Sequence, residues 1–265
     1  MIIVNGKLIN NNKKFNYETI SIQNKVLNIM FKSNMEYVYS SFEELKFDLD
    51  LKNAIVESSR ELYDSDVEFK TFYKSKCNSK YWIKNKDGGF SLKENVSSYD
   101  AIMDIFNKGS KYGTECATAM IIVYYRALTK LMSRDVFNSI YTEIELMNWS
   151  NIDEKLGVDY YDSVSDFMPG DCIYFKNPDV NPKTPEWQGE NTIDLGDGTY
   201  FGHGLGIMSG EKIIDKLNKY RKKHSKVSAY VLQSVTCQGG KYLYKLNEKT
   251  KKYLQIKVYI FFINI

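Results

Sequence analysis

Gly113-Thr114-Glu115-Cys116-Ala117-Thr118-Ala119-Met120-Ile121-Ile122-Val123-Tyr124-Tyr125-Arg126-Ala127-Leu128 sets a thiol at the head of a long apolar stretch. From Met120 to Leu131 the chain is too apolar for a solvated helix and too short to cross a membrane, which predicts a buried helix opening near Cys116. A side chain in the first turn of such a helix lies near unpaired backbone N–H groups and the positive end of the helix dipole. Both favour a thiolate, the nucleophilic form of cysteine. Most lone cysteines are packing residues, so a catalytic reading of Cys116 needs a base within reach.

The chain holds two histidines. His224 closes the basic run Arg221-Lys222-Lys223-His224, whose plain reading is a solvated helix face. His203 lies in Tyr200-Phe201-Gly202-His203-Gly204-Leu205-Gly206, read as a strand over 199–208 with glycine on both sides of the imidazole. Glycine inside a strand marks a place where another group approaches closely. Upstream, Glu190-Asn191-Thr192-Ile193-Asp194-Leu195 runs into Gly196-Asp197-Gly198, a hairpin signal. A Gly196-Asp197 loop sets Glu190 directly opposite His203. An Asp197-Gly198 loop makes them diagonal neighbours. Either two-residue loop leaves both side chains on one face, within about 8 Å; an odd-length loop reverses the parity. A carboxylate there would orient the imidazole, the third part of a nucleophile–base–acid set. Asp194, on the same face, is a weaker candidate.

With 265 residues, no Pro/Gly/Ser-rich linker and no repeat, the chain is expected to form a single domain spanning 1–265. Ser41-Phe42-Glu43-Glu44 is a capping box opening a helix to about Tyr63. Asp87-Gly88-Gly89 joins a hairpin of 81–83 with 90–92, and a helix spans 98–106. Strands are expected near 143–149, 171–176, 190–195 and 228–235, with a helix near 211–223. Helices first and tightly turned strands later give an α+β fold class. The tail, 235–265, reads as divergent strands ending in Val258-Tyr259-Ile260-Phe261-Phe262-Ile263, too short for a membrane span. Lys+Arg 36 against Asp+Glu 33 leaves +3, too little to imply nucleic acid. Cys77, Cys172 and Cys237 form no C-x-x-C pair and no metal-ligand spacing, and nothing resembles a calcium loop, so no cofactor or metal is expected. No export signal opens the sequence at Met1.

Taken together, five stretches resemble the bacterial spore-coat transglutaminases, protein-glutamine gamma-glutamyltransferases of endospore-forming Firmicutes. They are Tyr112 to Ala119, Gly170 to Pro178, Trp187 to Asn191, Phe201 to Gly206 and Lys212 to Asn218. The likeness runs from Met1 to about Ser234. It implies a compact papain-like core, similar to that of cell-wall cysteine peptidases, with the nucleophile on a central helix packed on an antiparallel sheet. It also places the family's catalytic cysteine, glutamate and histidine on Cys116, Glu190 and His203, with Glu115 as a supporting carboxylate. Phe69, Trp149 and Trp187 match aromatic positions of the family and are expected to line the substrate site.

The implied reaction is calcium-independent acyl transfer. Cys116 attacks a protein glutamine, ammonia leaves, and a lysine amine resolves the thioester into an isopeptide cross-link. His203 is the expected acid and base. The expected partners are spore-coat proteins, met by a monomer made in the mother-cell cytosol. The alternative reading is a papain-like peptidase or amidase acting on cell-wall peptides, in which water replaces the amine. A non-catalytic coat protein is a third.

Overall fold

The structure, a computed structural model, describes residues 1–10 and 15–263. The chain runs β1 (Ile2–Val4), β2 (Lys7–Ile9), α1 (Ile22–Lys32), β3 (Tyr37–Tyr39), α2 (Phe42–Tyr63), β4 (Glu68–Phe69), β5 (Trp82–Lys84), β6 (Phe90–Leu92), α3 (Ser98–Asn107), β7 (Gly113–Thr114) and α4 (Cys116–Leu131). It continues through α5 (Arg134–Ile140), β8 (Glu145–Leu146), β9 (Val158–Tyr161), β10 (Cys172–Lys176), β11 (Gly189–Asp194), β12 (Thr199–Gly202), β13 (Gly206–Ser209), α6 (Gly210–Asn218), β14 (Tyr230–Gln238) and α7 (Gly240–Ile263). Helix and sheet are mixed throughout.

Helix α4 is apolar over most of its surface and is buried accordingly, apart from the partly exposed Arg126 and Lys130, which pair with Glu61 and Glu57 of α2. Met120, Ile122, Val123, Tyr124 and Leu128 are buried in the largest core cluster, together with Ile55 of α2, Phe137 of α5 and Ile193 of β11. Six antiparallel strands in the order β13-β12-β11-β10-β14-β9 form the sheet against which α4 lies. The opposite face of this sheet buries Ile173 and Phe175 against Ile213 and Leu217 of α6. Three small sheets complete the architecture, in the orders β2-β1-β3, β4-β7 and β5-β6-β8.

Several local signals translate directly. Ser41 Oγ accepts from Glu44 N at 3.1 Å, and α2 then runs to Tyr63 as its capping box predicts. Cys116 is the first residue of α4. The hairpin around Gly88 forms with Trp82 opposite Leu92.

Other expectations are corrected. Pairs Thr192–Gly202 and Asp194–Tyr200, with Leu195 N donating to Thr199 O, leave a three-residue loop, Gly196-Asp197-Gly198. Gly196 and Gly198 hold φ of +71° and +84°, and Asp194 and Asp197 side chains accept from Gly196 N and Thr199 N. Their turn chemistry selects the odd length, and the parity inverts. The expected strand over 199–208 is two strands, with His203-Gly204-Leu205 as the turn between them. The strand expected at 143–149 is only Glu145–Leu146, followed by a 3-10 turn at Trp149–Asn151. Helix α6 stops at Asn218, so Arg221 to His224 lies beyond it, His224 at φ +64°. The tail 235–265 is not a strand pair: β14 ends at Gln238 and α7 follows. Leu243, Leu246 and Leu254 carry a helical spacing onto the main core, and that periodicity outweighs the β-branched and aromatic residues at its end.

Candidate active site

Helix α4 delivers Cys116 at its first position, and the residue before it shapes its surroundings. Glu115 is the N-cap: its carboxylate accepts from Ala117 N at 2.6 Å and Thr118 N at 2.7 Å, and from the Thr118 hydroxyl. The N–H groups expected to support a thiolate are thus spent on an anion. Burial first, then the charges of Glu190 and Glu115, push the Cys116 thiol well above the ordinary thiol range. That upward shift runs contrary to the thiolate expected from helix position.

Strand β11 supplies side chains to both faces of the sheet, because neighbours along a strand alternate. Glu190, opposite Phe175, points to the face shared with Gly202. A Cβ at Gly202 would stand 3.0 Å from Glu190 Cγ and 3.1 Å from its Oε1, so the missing side chain makes room for the carboxyl. Glu190 Oε1 is buried and has no hydrogen-bond partner. Burial, reinforced by Glu115 and opposed by Lys216, pushes the Glu190 carboxyl up to about 8.

Asn191 points the other way. Its Nδ2 donates to Cys116 Sγ at 3.5 Å, and its Oδ1 accepts from Trp149 Nε1 at 3.2 Å. Both residues line a cavity of about 550 Å³ with Tyr160, Cys172, Tyr174 and Thr236. The register of β10 on β14 slips between Ile173 and Phe175, beside this cavity. Such irregularities commonly re-aim strands next to sites of function.

The two-residue parallel pair β4–β7 sets Glu68 beside Gly113 and Phe69 beside Thr114, just ahead of Cys116. Its carbonyls capture the imidazole. His203 Nε2 lies 3.2 Å from Glu68 O, and since a carbonyl only accepts, Nε2 carries the proton. Burial pushes His203 down to about 4, against the opposing pull of the Glu68 and Thr114 carbonyls, so the ring is neutral near pH 7. The Phe69 ring lies 6.1 Å from the His203 ring and covers Gly204, where a Cβ would meet it at 2.9 Å.

Cys116, Glu190, Glu115 and Phe69 therefore gather around the head of α4 with His203 beside them. The expected hydrogen-bonded set is not closed, however: neither Cys116 nor Glu190 bonds to His203. The three-residue loop is the reason for the second gap, because it carries His203 out of register with Glu190. Trp149 borders the cavity, whereas Trp187 stacks on Tyr220 with ring centroids 4.0 Å apart. Asp194 bonds its own turn. Asn191 was missed; the only signal was its place next to Glu190 on a strand whose other face meets α4. Among the described residues no three His, Cys, Asp or Glu side chains are grouped to hold a metal ion, and no helix is long and apolar enough to cross a membrane.

A family model described as protein-glutamine gamma-glutamyltransferase matches residues 1–247. Proteins of that name from Bacillus cereus (strain AH820) and Bacillus anthracis (strain CDC 684) are each 40% identical over 237 residues, covering 89% of this chain and 85% of the relative. Among solved structures, a transglutaminase from Geobacillus stearothermophilus, without its C-terminal extension, superposes with a TM-score of 0.75 at 41% identity. That match covers 78% of this chain and 99% of the other.

Proposed function

The chain belongs to the protein-glutamine gamma-glutamyltransferase family and is a transglutaminase acting on glutamine and lysine residues of proteins; from that premise we propose how its side chains divide the work. Cys116 is the nucleophile and Glu190 carries the proton. The Cys116 S–H proton passes to the Glu190 carboxylate as sulfur attacks the glutamine carboxamide carbon. Glu190 returns that proton to the departing nitrogen, releasing ammonia and leaving a thioester. A neutral lysine amine then attacks, Glu190 takes the proton it sheds, and the thiol is restored as the isopeptide bond forms. Every proton transfer in this scheme falls to a residue of the chain, and we read the reaction as calcium-independent.

The observation that carries this reading is the buried, unpartnered Glu190 carboxyl, held near 8 and close enough for its charge to act on the Cys116 sulfur. A base works best with an affinity near the working pH. His203 is held by backbone carbonyls and resists protonation. Its part is to brace the β12–β13 turn and Phe69 beside the nucleophile, and Glu115 tunes the charge. A papain-like core is supported by the nucleophile helix lying on an antiparallel sheet, and one domain over 1–265 by the core cluster that joins α4 to Leu243 of α7. Trp149 and Phe69 wall the approach for substrate. The substrates are spore-coat proteins, met by a monomer made in the mother cell. The cell-wall peptidase reading loses its ground to the family match.

Ammonia release from a glutamine peptide plus a primary amine tests the assignment. Cys116→Ala is expected to abolish it, and Glu190→Gln to lower kcat by about 10²–10⁴-fold, the usual range for lost proton transfer. His203→Gln should keep most of the rate. The opposite ranking of Glu190 and His203 would restore the imidazole as the base.

A further inference from the structure

We propose that the Asn191 side chain is the hydrogen-bond donor that stabilises negative charge on the Cys116 sulfur, and that Trp149 is the positioning residue that fixes its orientation. The inference rests on Cys116 being the nucleophile. The surroundings of that sulfur are unfavourable to an anion: Glu115 occupies the N–H groups of Ala117 and Thr118, and Glu190 adds a second carboxyl. Lys216 acts on Glu190. Asn191 opposes the two carboxyls, through its side-chain amide and its backbone N–H. When the Cys116 proton moves to Glu190, the S⁻ left behind accepts Nδ2–H of Asn191, 3.5 Å away at rest. No bond forms at Asn191, and the proton count is closed by Glu190. A donor is needed to hold that charge until carbon–sulfur bonding removes it.

Orientation matters because the two ends of a side-chain amide are opposite in character. The indole N–H of Trp149 can only donate, so it selects the Asn191 oxygen at 3.2 Å and turns the NH₂ end to the sulfur. Flipped, Asn191 would set donor against donor at Trp149 and a carbonyl oxygen against a thiolate. Trp149 is itself placed by packing against the buried Tyr124 ring of α4, 6.4 Å between centroids. The helix that carries the nucleophile thereby also sets the donor that serves it. This gives Trp149 a part in the chemical step beyond walling the cavity.

The test follows iodoacetamide alkylation of Cys116 against pH, resolved from Cys77, Cys172 and Cys237 by peptide mass spectrometry, alongside kcat and KM. Asn191→Ala should move the alkylation midpoint alkaline by one unit or more and cut kcat roughly 10–100-fold, the scale of one lost hydrogen bond to a charged group. Trp149→Phe keeps the ring and loses the N–H. It should move the midpoint in the same direction by a smaller amount, with kcat reduced several-fold and KM for the amine within about twofold. A purely structural wall would change KM and leave the midpoint in place. Should Asn191→Ala fail to fold, Trp149→Phe alone decides. Unmoved midpoints and wild-type kcat in the folded variants overturn the inference. Full activity in Cys116→Ala would instead overturn the nucleophile assignment on which it rests.

Discussion

Glu190 shows how one residue sets function against stability. Its carboxyl is held near 8 against an ordinary value of 4.5, so between those values the folded chain holds a proton that the unfolded chain has lost. Stability linked to this group is complete below about pH 4.5, declines as pH rises to about 8, and is level above. Glu190→Gln removes the titration. Melting temperatures of variant and wild type should separate progressively from pH 5 to pH 9, with the variant the higher at the alkaline end although its catalysis is lost. Calorimetry at pH 5, 7 and 9 reads this directly, and parallel curves would refute a strained carboxyl. Cys116 was picked out because a thiol heading an apolar helix is a local signal, whereas Glu190 was reached through a two-residue hairpin register that the structure does not have, and through the family resemblance. Asn191 was not legible, since its partner sulfur lies 75 residues away and nothing in its neighbours distinguishes it from a solvent-facing asparagine. The bond to the Glu68 carbonyl was equally hidden, because any residue type supplies a carbonyl.

At the scale of elements, the end of α4 is where charge is adjusted. An anionic cap normally stabilises a helix by about 1 kcal/mol, and Glu115 does so while raising both Cys116 and Glu190. Glu115→Gln keeps an oxygen for the N–H groups and removes the charge. It should cost up to about 1 kcal/mol of stability and move the pH at which activity rises to a lower value. Measured with a weakly basic amine such as hydroxylamine, which is not itself the titrating group, the midpoint should fall from near 8. An unchanged or higher midpoint would show that Glu115 acts only as a cap. The limits of α2 and α4 were readable because caps are written in adjacent residues. The β11–β12 loop was misjudged by one residue, and in a structure of period two that single residue decided which side chain faces His203. Pairs as short as β4 and β7 leave no periodicity to read, and the tail's run of β-favouring residues concealed a helix fixed by leucines upstream.

Across the whole molecule, a buried lysine ties the parts that position the site. Lys52, inside α2, meets Asp171 at the entry to β10 with Nζ 2.5 Å from Oδ1, and both side chains are nearly inaccessible. The other Asp171 oxygen accepts from Met168 N at 2.9 Å, fixing the turn into the strand that pairs with β11. Lys52 also attracts half-buried Asp48, which accepts from Tyr39 of the small N-terminal sheet at 2.6 Å. Helix α2 in turn packs along α4, so one cation joins the N-terminal sheet, the nucleophile helix and the central sheet. From sequence, Lys52 is one more lysine in the helix expected from Ser41 to about Tyr63; only a partner 119 residues away makes it internal. Breaking a buried pair on one side strands the other charge and costs about 3–5 kcal/mol, which for a chain of this size is a fall in Tm on the order of 10 °C. Lys52→Met should show that loss. Adding Asp171→Asn, which keeps an oxygen for Met168 N–H but no charge, should recover part of it, because the penalty lies in the unpaired carboxylate and not in the absent bond. If the double variant melts no higher than Lys52→Met alone, the pair acts through packing, and the electrostatic tie between the site's supports is refuted.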